Sequence, residues 1–213
     1  MKKTIYIGIP TFKDLPYEFV LSLVDMISYS SKRHRVLTGF CNRTFRNIAR
    51  ETLIKTAKEE KADYLLFLDD DMVFPKDTLE RLLKHDTALV SALAFGRKDP
   101  FSPCALNMCY RADNDLVAEE YLHINNWPKD TLLQVDATGL ACTLIKKEVL
   151  ESLGEYSCTS KEGAGEDVEF MRQCRFKGFT PYVDTGLSIG HLSDRVVVNE
   201  GIYKQYEDGK FKN

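Results

Sequence analysis

Hydrophobic and polar positions change period several times along the chain, and each change predicts an element. Thr4 to Pro10 alternates and is β-branched, so it reads as a strand with Thr11 at its end. Asp14 is placed to cap a helix with Pro16 in its first turn, and Phe19, Leu23, Met26 and Ile27 then recur at helical spacing. Arg35 to Cys41 reads as a second strand. A second helix is predicted from about Thr44 to Glu60, with a core face of Phe45, Ile48 or Ala49, Leu53 and Ala57. Tyr64 to Leu68 is an uncharged apolar run, the signature of a strand buried on both faces. A short helix from Pro75 to Lys84 and another apolar strand from Ala88 to Phe95 complete an alternating β-α-β-α-β-α-β order. That order predicts a parallel, doubly wound α/β sheet.

Beyond Gly96 the regular alternation stops. Short β-like pieces at Cys104 to Tyr110 and Leu132 to Val135 sit among polar stretches up to Asp136. Leu140 to Ile145 is apolar again and leads into a helix through Leu153, with Gly154 expected as its left-handed stop. Gly163-Ala164-Gly165 approaches a helix opened by Glu166 and Asp167. Val168, Met171 and Cys174 form its buried side, and Gly178 ends it. Tyr182 to Asp184 and Leu187 to Leu192 are further short strands. Asn199 to Asn213 reads as a mobile tail.

The chemistry concentrates where the central strand ends, in Asp69-Asp70-Asp71. Three carboxylates after a buried strand repel one another unless a cation shares them, and carboxylate oxygens suit Mg²⁺ and Mn²⁺. In open α/β sheets ligands bind beyond the carboxyl ends of the strands. The second acidic pair, Glu166-Asp167, stands at a predicted helix start, where acids are also ordinary partners of the helix dipole. Arg43, Asn47 and Arg50 fall at i, i+4 and i+7 on one predicted helix face. Such a face is either a solvated basic surface or a phosphate cradle. Trp127 is the single tryptophan, and an exposed indole can stack on a sugar ring.

Composition narrows the classes. The chain has 213 residues and a net charge of −3, which excludes a general polyanion-binding surface. Its six cysteines form no CxxC pair, a spacing that suits reduced thiols in a cytoplasmic protein better than disulfides or a zinc site. The N-terminus runs directly into a strand without a signal-peptide pattern, and no apolar run is long enough to span a bilayer.

The ordered features resemble a GT-A glycosyltransferase, close to glycosyltransferase family two. The resemblance rests on the strand Ile5 to Pro10 with Thr11, the Asp-x-Asp at Asp69 and Asp71 followed by Phe74-Pro75, and Thr138-Gly139-Leu140 through Lys147. It continues through Gly165-Glu166-Asp167 ahead of a helix ending at Gly178-Phe179, and it closes at His191. It implies one GT-A domain over 1–213: a nucleotide-binding half (1–95), an acceptor-binding and catalytic half (96–192) and a C-terminal tail (193–213). It further implies metal ligation by Asp71, Asp69 and His191, with Mn²⁺ or Mg²⁺ as the cofactor. Thr11, Arg43, Asn47, Arg50, Asp69, Asp70 and Gly139 would hold a nucleotide-diphosphate sugar donor. Asp167 would be the general base of an inverting transfer, with Glu166 beside it, and Trp127 and Asp136 would face an acceptor. The acceptor hydroxyl could belong to a glycan, a lipid-linked group, a protein or a nucleic-acid base. The arginine-containing motif that often follows the acid pair in that family is not clear here; only Gln173 and Arg175 stand in that region.

Three other readings use the same residues. Asp69 and Asp71 match the nucleophile and acid/base of haloacid-dehalogenase-type phosphatases, but on the third strand instead of the first. A nucleotide-sugar-binding module without turnover would keep the same donor residues. Nucleotidyl transfer would need a glycine-rich loop where Pro10-Thr11-Phe12-Lys13 stands.

Overall fold

The computed structural model describes residues 2–12, 14–113, 116–154, 157–159, 165–193 and 197–210, with the backbone alone for 111–113 and 116–118. The first strand, β1 (Thr4–Thr11), leads to α1 (Tyr17–Ser30), β2 (Arg35–Asn42), α2 (Arg46–Glu59) and β3 (Tyr64–Leu68). A two-residue strand, β4 (Met72–Val73), follows the aspartates, then α3 (Thr78–Lys84) and β5 (Leu89–Leu93). The second part comprises β6 (Ala105–Asp113), β7 (Leu116–His123), β8 (Leu132–Gln134), β9 (Ala137–Thr138), β10 (Cys142–Lys146), α4 (Lys147–Ser152) and α5 (Glu166–Phe176). The chain ends through β11 (Tyr182–Ser188), β12 (Gly190–Leu192), β13 (Val197–Val198) and α6 (Glu200–Glu207).

Seven strands form the central sheet in the order β2-β1-β3-β10-β5-β11-β8. The period-two pattern sorts their side chains onto two cores. Ile5, Ile7, Ile9, Leu66 and Leu68 face α1 and α3 through Phe19, Met26, Leu79 and Leu82. Tyr6, Leu65, Phe67 and Ile145 face α2, α4 and α5 through Leu53, Val149, Phe170 and Met171. Helices therefore cover both faces, which is why β3 is apolar at every position.

The sheet is mostly parallel, with two antiparallel insertions the alternation did not predict. β3 and β5 are not neighbours: β10 lies between them, antiparallel to both, with Thr143 opposite Phe67 on one side and Ser91 on the other. The chain leaves β5 at the carboxyl edge of the sheet, adds β8 antiparallel to β11 as an edge strand, and is back at the carboxyl edge where Cys142 stands opposite Leu68. It then runs straight back as β10, so no crossover helix is needed. The Ser91 and Thr143 hydroxyls hydrogen-bond at 2.7 Å and satisfy each other inside the sheet.

Local corrections have equally physical causes. Pro16, not Asp14, is the N-cap of α1, and no side chain caps it. Leu153 ends α4 in an extended conformation, so Gly154 is not a left-handed stop, whereas Gly178 after α5 is left-handed at φ 86°. The tail expected at Asn199 to Asn213 contains α6, capped by the Asn199 side chain, which accepts from the Gly201 and Ile202 amides. Tyr203 of α6 is buried against Phe95 and Trp127, with ring centroids 5.2 and 5.7 Å away. The tail's last residues, 211–213, and Gly163 and Ala164 of the glycine approach lie outside the described residues.

Candidate active site at the carboxyl edge of the sheet

The carboxyl ends of β1 and β3 open on a cavity of about 400 Å³, a size that suits a small ligand. Thr11, Phe12, Phe45, Arg46 and Asp69 to Asp71 are among its lining residues. The three aspartates face three ways. Asp70 is tied to the end of β1 through the Thr11 side chain and the Phe12 backbone. Burial and its two acidic neighbours raise its pKa against those hydrogen bonds.

Asp71 belongs to a second group. Its Oδ2 lies 3.1 Å from His191 Nε2 and 2.7 Å from Arg97 Nη1. Burial alone would raise the Asp71 pKa, but His191 and the Arg97 and Arg46 charges outweigh it and hold the group below the usual carboxylate range. β12 brings His191 there by pairing antiparallel with β4, directly after the aspartates. The other ring nitrogen, Nδ1, lies 2.7 Å from the Phe95 carbonyl, which fixes the plane of the imidazole.

Asp69 turns away from this pair. Its Oδ1 accepts from Arg50 Nη2 at 2.9 Å, and the same Nη2 lies 3.7 Å from Asp167 Oδ1. Asp69, Asp71 and His191 are therefore not gathered around one point. Among the described residues no group of three His, Cys, Asp or Glu side chains is arranged to hold a metal ion.

Arg50 is the largest departure from the helix-face reading. It is fully buried at 0% exposure, while Phe45, expected in the core, is 78% exposed at the cavity. The buried stripe of α2 is Ala49, Arg50, Leu53, Ile54 and Ala57. A guanidinium occupies a core position because it has anionic and carbonyl partners there, including the Leu140 carbonyl at 3.4 Å. It also lies over the Phe67 ring. Arg43 precedes the helix and is exposed, so Arg43, Asn47 and Arg50 do not form one phosphate-binding face. Arg46, which the spacing argument passed over, is the basic residue of α2 that lines the cavity, and it lies 3.6 Å from Glu166 Oε1.

The first two acids of α5, Glu166 and Asp167, thus meet two arginines one turn apart on α2. The Asp167 side chain keeps 29% of its surface open. Burial raises its pKa to about 6, against the pull of Arg50 and the Leu140 backbone and with help from the Glu166 and Asp69 charges. A Cβ at Gly139 would make ordinary contacts, 3.6 Å from Asp167 Oδ2 and 3.6 Å from Cys104 Cβ, so the Gly139 backbone runs beside the Asp167 carboxylate. Gly139 serves the Asp167 side of the site and does not line the cavity. Burial pushes the Cys104 thiol up to about 12, which leaves it an inert neighbour.

The expected acceptor residues are engaged elsewhere. Trp127 packs on Phe95 and Tyr203. Asp136 pairs with Arg175 at 2.9 Å and accepts from the Met108 amide, tying the β6–β7 hairpin to α5. Both bonds are long-range, so no local pattern announces them.

A scan against protein-family models finds no match, and a search of curated proteins finds none. Solved structures do match. The A197 protein from STIV superposes with a TM-score of 0.61 at 18% identity, over 90% of this chain and 86% of that one. The glycosyltransferase GalNAc-T7, solved with UDP, GalNAc and Mn²⁺, superposes with a TM-score of 0.54 at 13% identity. The fold is GT-A. This chain is aligned over 90% of its own length and spans 44% of GalNAc-T7. At these identities the likeness is one of fold alone.

Proposed function

We propose that this protein is a glycosyltransferase that moves a sugar from a nucleotide-diphosphate donor to an acceptor hydroxyl. The observation that carries the reading is the meeting of two acidic clusters, distant in sequence, through one buried arginine. Asp69 and Asp167 share Arg50, so the donor-side aspartates and a candidate base stand in a fixed relation. The GT-A fold and the UDP and Mn²⁺ found with GalNAc-T7 support the donor class.

Asp71 and His191 fit a divalent cation. With Nδ1–H donated to the Phe95 carbonyl, Nε2 is the ring nitrogen that a metal would take, in exchange for its present contact with Asp71 Oδ2. A carboxylate with an imidazole suits Mn²⁺ better than Mg²⁺. Such a cation, when bound, offsets the charge that grows on a diphosphate leaving group. Asp69, held by Arg50, is left to the nucleotide side. Arg46 lies at the cavity wall, where its guanidinium meets phosphate oxygens.

Asp167 takes the proton from the acceptor hydroxyl as it attacks the anomeric carbon opposite the leaving group, so the configuration inverts. Its pKa of about 6 suits a base that must be ionised near neutral pH yet still accept a proton. Arg50 and the Leu140 backbone aim the carboxylate. The phosphatase alternative needs Asp69 as a free nucleophile, and the hydrogen bond from Arg50 weighs against that role.

The test is release of nucleoside diphosphate from a panel of nucleotide sugars with Mn²⁺. The expected result is turnover of one donor. Asp167→Asn should bind that donor and lose at least a hundredfold in release, the lower end of what a general base contributes. An Asp167→Asn variant as active as the parent removes the base assignment.

A further inference from the structure

Arg97 is not needed by the mechanism above, yet it makes one of the short contacts at its centre. Its Nη1 lies 2.7 Å from Asp71 Oδ2, the same oxygen that faces His191 Nε2 at 3.1 Å. One oxygen therefore faces two basic groups. The backbone around Arg97 is well fixed. The Gly96 amide donates to the Ser102 carbonyl at 2.8 Å, and the Phe101 amide donates to the Lys98 carbonyl at 2.7 Å. Phe95 bridges Pro103, and Tyr206 of α6 donates to Asp99 at 2.6 Å. The Arg97 side chain, by contrast, is half exposed. The short segment from Phe95 to Arg97 thus holds both proposed ligands, His191 through a carbonyl and Asp71 through a guanidinium.

A guanidinium and a divalent ion at one carboxylate oxygen exclude each other by charge and by volume. We propose that Arg97 is a built-in cation that occupies Asp71 until a divalent ion replaces it, so that metal and phosphate bind cooperatively. This rests on the reading of Asp71 and His191 as cation ligands. Once displaced, Arg97 has lost its carboxylate, and phosphate oxygens are the partner its planar fork suits best. A diphosphate thus supplies ligands to the ion and a new partner to Arg97. Either ligand alone leaves one of these charges unmatched, which is the origin of the coupling.

Mn²⁺ binding to the whole protein, read from loss of the free-ion electron paramagnetic resonance signal, tests this without turnover. It is measured with and without inorganic pyrophosphate. Arg97→Gln should bind Mn²⁺ alone about two- to fivefold tighter than the parent, the range that freeing one partly exposed ion pair permits. Its affinity should gain less from pyrophosphate than the parent's does. Arg46→Gln removes a like charge from the same cavity without touching Asp71, so it should change Mn²⁺ affinity less than Arg97→Gln. Equal effects of the two variants, or weaker Mn²⁺ binding by Arg97→Gln, overturn the proposal. If His191→Ala still abolishes binding in that case, the cation-site reading stands and the Arg97 role alone fails. No Mn²⁺ binding by any form, with or without pyrophosphate, overturns both.

Discussion

At the scale of single residues, three adjacent carboxylates point three ways. Asp69 turns to Arg50, Asp70 to Thr11 and Asp71 to Arg97 and His191, so adjacent carboxylates have different partners. The aspartates themselves stand out in the sequence as a break after an apolar run. Of their partners, Arg50 reads as part of a helix face and His191 stands out only through the family resemblance, and Arg97 carries no signal, because all three reach the aspartates through the tertiary fold. A buried arginine on an amphipathic helix also defeats periodicity, which treats every arginine as surface. That is why Phe45 and Arg50 exchange their expected places. Asp167 supplies the prediction at this scale. Its pKa is raised to about 6, so a base role requires transfer to fall about tenfold per pH unit below that value. For stability the sign runs the other way: with the folded pKa above the unfolded one, the protonated form favours folding. That contribution is fully present below the unfolded pKa and is lost as pH rises through about 6. A pH–rate profile flat from 5 to 8 contradicts the base assignment.

At the scale of elements, α2, β3 and α5 are locked together at their ends by one guanidinium. Arg50 lies on α2, Asp69 follows β3, and Asp167 stands in the first turn of α5. Replacing Arg50 with methionine keeps much of the volume but leaves two carboxylates facing each other without a counter-charge. Both keep some access to water through the open edge, so the cost should sit at the lower end for a broken buried pair, about 3 kcal/mol in urea denaturation. A loss below about 1 kcal/mol would mean that the charges are not coupled as described. Apart from the two-residue β4, the helices and strands before Gly96 are legible because each carries its own period or apolar run. α6 is the counterexample. Its eight residues include a single buried side chain, Tyr203, and it exists because Asn199 caps it and Phe95 and Trp127 receive that ring.

At the scale of the whole molecule, the sheet order explains the site. β1 and β3 lie side by side and parallel, so Thr11 and Asp69 emerge on one edge. β10 runs back from that edge and carries Gly139 and Leu140 just ahead of it, against Asp167. The doubly wound layering follows from apolar strands alternating with amphipathic helices. The antiparallel placement of β10 does not, because it depends on where the 96–136 excursion leaves the chain and not on any local pattern. None of the described helices is long and apolar enough to cross a membrane.

We propose that the site at this edge binds a nucleotide together with a metal ion. The measurement that tests it most directly is calorimetric titration with UDP, GDP, CDP and dTDP, each with and without Mn²⁺, on the parent and on Asp71→Ala. The expected result is that one nucleotide binds the parent only when Mn²⁺ is present, and that Asp71→Ala loses this binding. Failure of every nucleotide to bind with Mn²⁺, or equal binding by Asp71→Ala, would contradict it.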